Sequence, residues 1–198
     1  IRDRAYLSCS PHLPVMAPMD EIELRTALFT AQRVLDGPMA IRYPRGRGEI
    51  VHWKMPFTEL PTGKSRQLRK GSRIAVLTLG TLGTRVKQVL DKLGGTEFTH
   101  IDMRYMKPLD GECLKEVFQQ HDLVVTLEDG ILRGGFGSAI MEFAAENELQ
   151  KPVKRMGIQD EFIGHGSVEE LEKMTGLDES SIQQEFEHLL SNLKSGSK

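Results

Sequence analysis

Two hydrophobic periods alternate along the chain. Val15-Met16-Ala17 is a short apolar run closed by Pro18, and Asp20-Glu21-Ile22-Glu23 then supplies an N-cap residue followed three positions later by Glu, the start signal of a helix. Leu24, Ala27, Leu28, Ala31, Val34 and Leu35 recur at helical spacing until Asp36-Gly37-Pro38 ends the run ahead of Met39-Ala40-Ile41. Strand, helix, strand is the order of a parallel crossover. Two strands and a helix are too little for an independent core, so residues 1–50 read as the end of a preceding α/β domain. Residues 51–62, with Trp53, Pro56 and Pro61 and no steady period, read as a linker.

From residue 63 the pattern becomes regular. Gly63 to Arg69 and the apolar Ile74 to Leu79 predict a hairpin whose second arm is buried. Val86, Val89, Leu90 and Leu93 predict a helix closed by Gly94-Gly95, and Phe98 to Met103 a further strand. Leu114, Val117 and Phe118 mark the next helix, Leu123 to Leu127 a strand, Ile140, Phe143 and Ala144 a helix opened by Gly134-Gly135-Phe136-Gly137-Ser138, and Val153 to Ile158 the fourth apolar strand. Ser167-Val168-Glu169-Glu170 is a capping box, and Ile182, Phe186, Leu189, Leu190 and Leu193 face one side of a last helix. Four apolar strands separated by helices predict an α/β fold over 63–198, a mostly parallel sheet with helices on both faces.

Composition narrows the partners. The 198 residues carry a formal charge of -2, which gives no general attraction to nucleic acid or an anionic membrane. No run approaches the roughly 18 apolar residues of a membrane span. Cys9 and Cys113 have neither disulfide-framework nor zinc spacing, which suits a reduced, cytoplasmic setting. Ile1-Arg2-Asp3-Arg4 has no initiator Met and resembles no signal peptide, so the chain is expected to begin inside a larger protein.

The densest chemistry lies in Ala40-Ile41-Arg42-Tyr43-Pro44-Arg45-Gly46-Arg47-Gly48. It reads as a strand feeding a turn whose amides can face an oxyanion, with Arg45 and Arg47 offering forked donors matched to phosphate or carboxylate. A surface turn with solvated arginines is the alternative. Arg42 falls inside the strand, where a structural ion pair competes with anion binding. Gly134-Gly135-Phe136-Gly137-Ser138 lacks the lysine and spacing of a phosphate loop, and close packing of a helix start explains its glycines. Glu128 and Asp129 stand at a strand's carboxyl end, where α/β sheets place their crevice, with capping as the competing role. Asp110 is most simply an N-cap, and Asp102 to Lys107 reads as a tightly bonded loop. His165, between Gly164 and Gly166, is the histidine best placed for an active-site edge; the other five have no metal-ligand spacing.

Taken together, "IRYPRG" from Ile41, "DMRYMKPLD" from Asp102, "TLEDG" from Thr126, "GGFGS" from Gly134 and "HG" at His165 form a colinear series that resembles the C-terminal third of 1-deoxy-D-xylulose-5-phosphate synthase. The resemblance implies that residues 1–50 end a pyrimidine-binding domain and that 63–198 form a transketolase-type C-terminal domain. It implies a thiamin-diphosphate- and Mg²⁺-dependent transferase of isoprenoid and thiamine biosynthesis. That enzyme condenses pyruvate with glyceraldehyde 3-phosphate and releases CO₂, as a homodimer.

Because the family's cofactor motifs lie upstream, the segment alone is expected to bind neither cofactor and to be inactive, with no catalytic or metal residue of its own. The second arginine of the family's "RYPRG" motif binds the aldehyde's phosphate, and here it is Arg45. Near the start Asp3, Ala5, Tyr6, Leu7, Cys9 and Pro11 fit the family pattern, whereas Arg2, Arg4 and Ser8 depart from it. A transketolase or an oxoacid dehydrogenase β subunit shares some of the motifs, and a non-catalytic anion- or partner-binding domain is the reading from another class.

Overall fold

The structure, a computed structural model, describes residues 3–33, 37–44 and 54–195. In chain order the elements are α1 (Asp3–Ser8), β1 (Val15–Met16), α2 (Glu21–Arg33), β2 (Ala40–Ile41), β3 (Arg66–Arg69), β4 (Ile74–Leu79), α3 (Leu82–Leu93), β5 (Phe98–Asp102), β6 (Tyr105–Lys107), α4 (Gly111–Gln120), β7 (Leu123–Ile131), α5 (Phe136–Glu146), β8 (Val153–Ile158), α6 (Val168–Thr175) and α7 (Glu179–Ser195). The capping signals act as read. Asp110 accepts from the Cys113 amide at the start of α4, Ser167 and Glu170 complete a capping box on α6, and Gly176 closes that helix in the left-handed region.

A five-stranded sheet in the order β3-β5-β4-β7-β8 forms the centre. β5, β4, β7 and β8 run parallel, and β3 lies antiparallel on the β5 edge. Alternate residues of β4 serve opposite faces. Ala75, Leu77 and Leu79 pack with Leu114 and Phe118 of α4 and with Phe136 and Ile140 of α5, whereas Ile74 and Val76 pack with Val86 and Val89 of α3 and Ile182 and Phe186 of α7. The doubly covered, mostly parallel α/β sheet expected from the sequence is therefore what forms.

Two local expectations fail. β3 and β4 are not a hairpin, because β5 lies between them. β4 is buried along its whole length and takes a central place with a parallel partner on each side. At Gly71 a Cβ would sit 2.2 Å from the Phe98 carbonyl carbon, so the chain passes tight against β5 instead of turning back on itself. The expected loop after Asp102 also contains strand β6, which begins one residue beyond Arg104 at φ 58.

Strand β6 joins the first segment to the rest. β1 pairs in parallel with β2 and antiparallel with β6, giving a small sheet β2-β1-β6, and Val15 and Ala17 enter the same core as Leu77 and Phe136. Lys107 Nζ further donates to the carbonyls of Ser8 and Ser10 at 3.0 and 2.6 Å.

On α2, however, the buried positions are Glu23, Thr26, Ala27 and Thr30. The threonine hydroxyls are satisfied by carbonyls one turn back, and Thr30 also accepts from the Leu60 amide. Of the apolar stripe read from the sequence, Ala27 is buried, Leu24 and Leu28 instead line an open groove with Phe29 and Phe57, Leu28 being 49% exposed, and Val34 and Leu35 lie outside the described residues.

Candidate functional site at the exit of β2

β2 is two residues long, yet its ladder continues, since the Arg42 amide donates to the Met16 carbonyl at 2.8 Å. The Arg42 side chain is 18% exposed. Its Nη1 donates to Asp129 Oδ2 at 2.7 Å, and its Nε lies 3.7 Å from Asp3 Oδ2. The predicted strand arginine is thus ion-paired, and its partners come from α1 and from the far end of β7. Tyr43 and Pro44 are exposed. Arg45, Gly46, Arg47 and Gly48 lie outside the described residues.

Asp129 lies towards the carboxyl end of β7, in the stretch where that strand is irregular. Its register against β8 shifts between Leu127 and Ile131, which interrupts the period-2 alternation. Glu128 and Asp129, neighbours in the strand, do different things. Glu128 is buried and accepts from the amides of Phe136 and Gly137, each at 3.0 Å, so a carboxylate sits at the N-terminus of α5. Gly135 makes room for it, since a Cβ there would stand 2.2 Å from the Ile131 carbonyl oxygen and 2.5 Å from Glu128 Oε2. Gly135 and Gly137 are therefore packing glycines, Gly134 turns the chain at φ 67, and Glu128 is a cap. His165 is exposed in the stretch between β8 and α6.

A second charged cluster lies where α2 meets β3, β5 and β6, and the sequence offered little sign of it. Glu23 Oε2 accepts from the Met19 amide at 2.8 Å, while its Oε1 takes Arg104 Nε at 2.7 Å and stands 3.5 Å from Arg66 Nη2. Asp102, fully buried, accepts from Arg66 Nη2 at 3.0 Å and from the Arg104 amide at 3.1 Å. Burial first, and then the Glu23 carboxylate, push Asp102 up to about 7 against the pull of the two arginines. Glu23 had looked like an ordinary capping glutamate. The one available hint was that "DMRYMK" sets an acid and a base two residues apart around a turn.

Two buried histidines bond to strand threonines: His100 Nε2 lies 3.0 Å from Thr78 Oγ1, and His121 Nε2 lies 2.7 Å from Thr99 Oγ1. Among the described residues no three His, Cys, Asp or Glu side chains converge as a metal site would require, and no helix is long and apolar enough to cross a membrane. What the site presents is one guanidinium, charge-balanced from two sides, just ahead in sequence of Arg45, Gly46, Arg47 and Gly48.

Comparison with known proteins agrees with this architecture. Residues 63–182 match the family described as "Transketolase, C-terminal domain". The 1-deoxy-D-xylulose-5-phosphate synthases of Bacteroides thetaiotaomicron and Phocaeicola vulgatus are 45% and 46% identical over 187 and 183 residues, covering 93% and 91% of this chain. In both cases the chain spans only 29% of the relative's length. A solved protein titled "Split gene transketolase, inactive beta4 tetramer" superposes with a TM-score of 0.82 at 28% identity, covering 93% of this chain and 60% of the other. The transketolase of Campylobacter jejuni shares the fold, with a TM-score of 0.69 at 16% identity over 96% of this chain and 28% of its own. With a doubly covered, mostly parallel sheet over the residues the family match spans, this chain belongs to the transketolase C-terminal domain family.

Proposed function

We propose that the chain is the C-terminal part of a 1-deoxy-D-xylulose-5-phosphate synthase, a thiamin-diphosphate-dependent transferase that condenses pyruvate with glyceraldehyde 3-phosphate and releases CO₂. The observation that carries the reading is the 45% identity, held over 93% of this chain, to proteins bearing that name. The open apolar groove along α2 supports it, because a helix whose Leu24 and Leu28 face outward has a side still to be covered. The two-residue strand β2 supports it as well, since it lies at the edge of the small sheet, where a further strand can add.

In this reading residues 1–50 complete a pyrimidine-binding domain, 51–62 link, and 63–198 form the C-terminal domain. The thiamin diphosphate and Mg²⁺ are held by other parts of the enzyme, and the cofactor supplies the carbanion chemistry. This segment contributes Arg45, whose guanidinium takes the phosphate of the aldehyde substrate. Alone the segment has no activity, and the whole enzyme is a cytoplasmic homodimer. His165 stays a weaker assignment at the rim of the site.

The test is an assay of the full-length protein with pyruvate and glyceraldehyde 3-phosphate. Pyruvate-dependent CO₂ release coupled to formation of 1-deoxy-D-xylulose 5-phosphate is expected. Transfer of a two-carbon unit from a ketose phosphate, without pyruvate, would make it a transketolase instead.

A further inference from the structure

Of the side chains on α2 that are buried, Ala27 is the apolar one, and the hydroxyls of Thr26 and Thr30 are satisfied by carbonyls of the helix itself. That leaves Glu23 as the helix's charged link to the elements beside it. It faces Arg66 of β3, Asp102 at the end of β5 and Arg104 in the turn before β6. Arg66 Nη2 stands 3.5 Å from Glu23 Oε1 and 3.0 Å from Asp102 Oδ2, and Arg104 gives its Nε to Glu23 and its amide to Asp102. The Met19 amide holds the second Glu23 oxygen at 2.8 Å, so this charge is fixed to the start of its own helix. β4 sets the uncharged Thr78 beside Asp102; His100, two residues back on β5, bonds that threonine, and the buried Tyr105 opens β6.

Two buried carboxylates on one guanidinium nitrogen repel each other where little water screens them, and a proton on one relieves the other. Asp102 has no solvent contact, and burial followed by the Glu23 carboxylate raises it to about 7. With Asp102 ionised, two cations are divided between two anions. With Asp102 neutral, both guanidinium groups answer to Glu23 alone. Since Glu23 belongs to the first segment and the other three residues follow residue 63, that division governs how firmly the two parts are joined. We propose that this joint is a proton-operated latch: neutral Asp102 leaves Arg66 and Arg104 to Glu23 and closes it, and loss of that proton to solvent loosens α2. The linkage is reciprocal, because whatever Glu23 adds to the hold of Asp102 on its proton, the proton adds to the hold on Glu23. Docking raises the Asp102 carboxyl and undocking returns it toward the ordinary range. The latch is therefore fully closed below about pH 4, weakens as pH rises, and is loosest above about pH 7.

The experiment is amide hydrogen exchange of the full-length protein from about pH 5.5 to about pH 8.5, corrected for the intrinsic rate at each pH. It is read on α2 and, as an internal reference, on α7, which packs with Ile74 and Val76 of β4. The opening constant of α2 relative to that of α7 is expected to rise on the order of 10-fold up to about pH 7.5 and then to level off. Asp102→Asn, neutral at every pH, should keep α2 at its low-pH protection throughout. Glu23→Gln should lower the protection of α2 already at the acid end and flatten the rise, and it serves if Asp102→Asn does not fold. Wild-type α2 exchange that keeps step with α7 at every pH, or a wild-type rise retained in either variant, would overturn the latch.

Discussion

Glu23 and Arg104 are 81 residues apart in sequence and form a hydrogen-bonded ion pair of 2.7 Å, with Glu23 only 3% exposed. The pair joins helix α2 of the first segment to the turn that carries β6, and Arg66 stands within reach of the same carboxylate oxygen. Removing Glu23 would leave two guanidinium groups facing one fully buried acid.

Glu23→Ala is therefore expected to destabilise the fold by about 2–3 kcal/mol, below the usual cost of breaking a wholly buried pair because both arginines keep some solvent access. The Met19 amide also loses its acceptor. Urea unfolding followed by circular dichroism measures this, and a change under about 0.5 kcal/mol would mean that the cluster does not tie α2 to the sheet.

The same cluster predicts a dependence on pH. Burial first, then Lys87 and Arg66, hold His100 down to about 4. Between about pH 4 and 6.5 the unfolded chain binds the proton that native His100 refuses, so this residue's contribution is intact above that window and is lost as pH falls through it. Asp102, raised to about 7, works in the opposite sense. Native Asp102 keeps a proton that the unfolded chain releases, so its contribution is present below about pH 4 and is lost as pH rises toward 7.

The two slopes, each at most about 1.4 kcal/mol per pH unit, offset one another in wild type. In Asp102→Asn the His100 slope is uncovered, and the stability of the variant relative to wild type should rise steadily from pH 4 to 7. A difference independent of pH would contradict the buried, protonated Asp102.

Gly135→Ala is expected to cost on the order of 2–3 kcal/mol, because the added Cβ falls on the Ile131 carbonyl and the Glu128 carboxylate and must break the clasp on the first amides of α5. Gly176→Ala, with nothing within 4 Å of its Cβ but φ at 68, should cost only about 1 kcal/mol through backbone strain. Thermal unfolding of both variants compares the two mechanisms, and equal losses would show that packing around Gly135 is looser than described.

Much of this fold was legible in the sequence because its strongest signals are local. The capping box of Ser167, the N-cap at Asp110 and the glycine stop after Leu93 each act within one helical turn. The inner strands stand out because both of their faces are apolar. What was not legible is non-local. Gly63 to Leu79 looks like a hairpin until β5 arrives from 20 residues downstream to lie between its arms. The apolar stripe of α2 reads as a core face, yet of its described members Ala27 alone is fully buried and shares that side with polar residues, since Thr26 and Thr30 bond within the helix and Glu23 finds two arginines from other elements.

At the site, the cap role of Glu128 could be anticipated from its place before a glycine-rich helix start. Nothing in the spacing pairs Arg42 with Asp129, because the two stand 87 residues apart and meet only when the first segment packs beside the end of β7. The phosphate role of Arg45 came from resemblance, and that residue lies outside the described positions.

The central claim is that the loop after β2 takes the phosphate of an aldehyde substrate. Arg45→Ala in the full-length enzyme tests it most directly, with KM measured for glyceraldehyde 3-phosphate and for pyruvate in the same preparation. Loss of a charge-assisted hydrogen bond worth roughly 1.5–3 kcal/mol predicts a rise of about 10- to 100-fold for glyceraldehyde 3-phosphate with pyruvate little changed. Equal changes for both substrates, or none for either, would contradict the account.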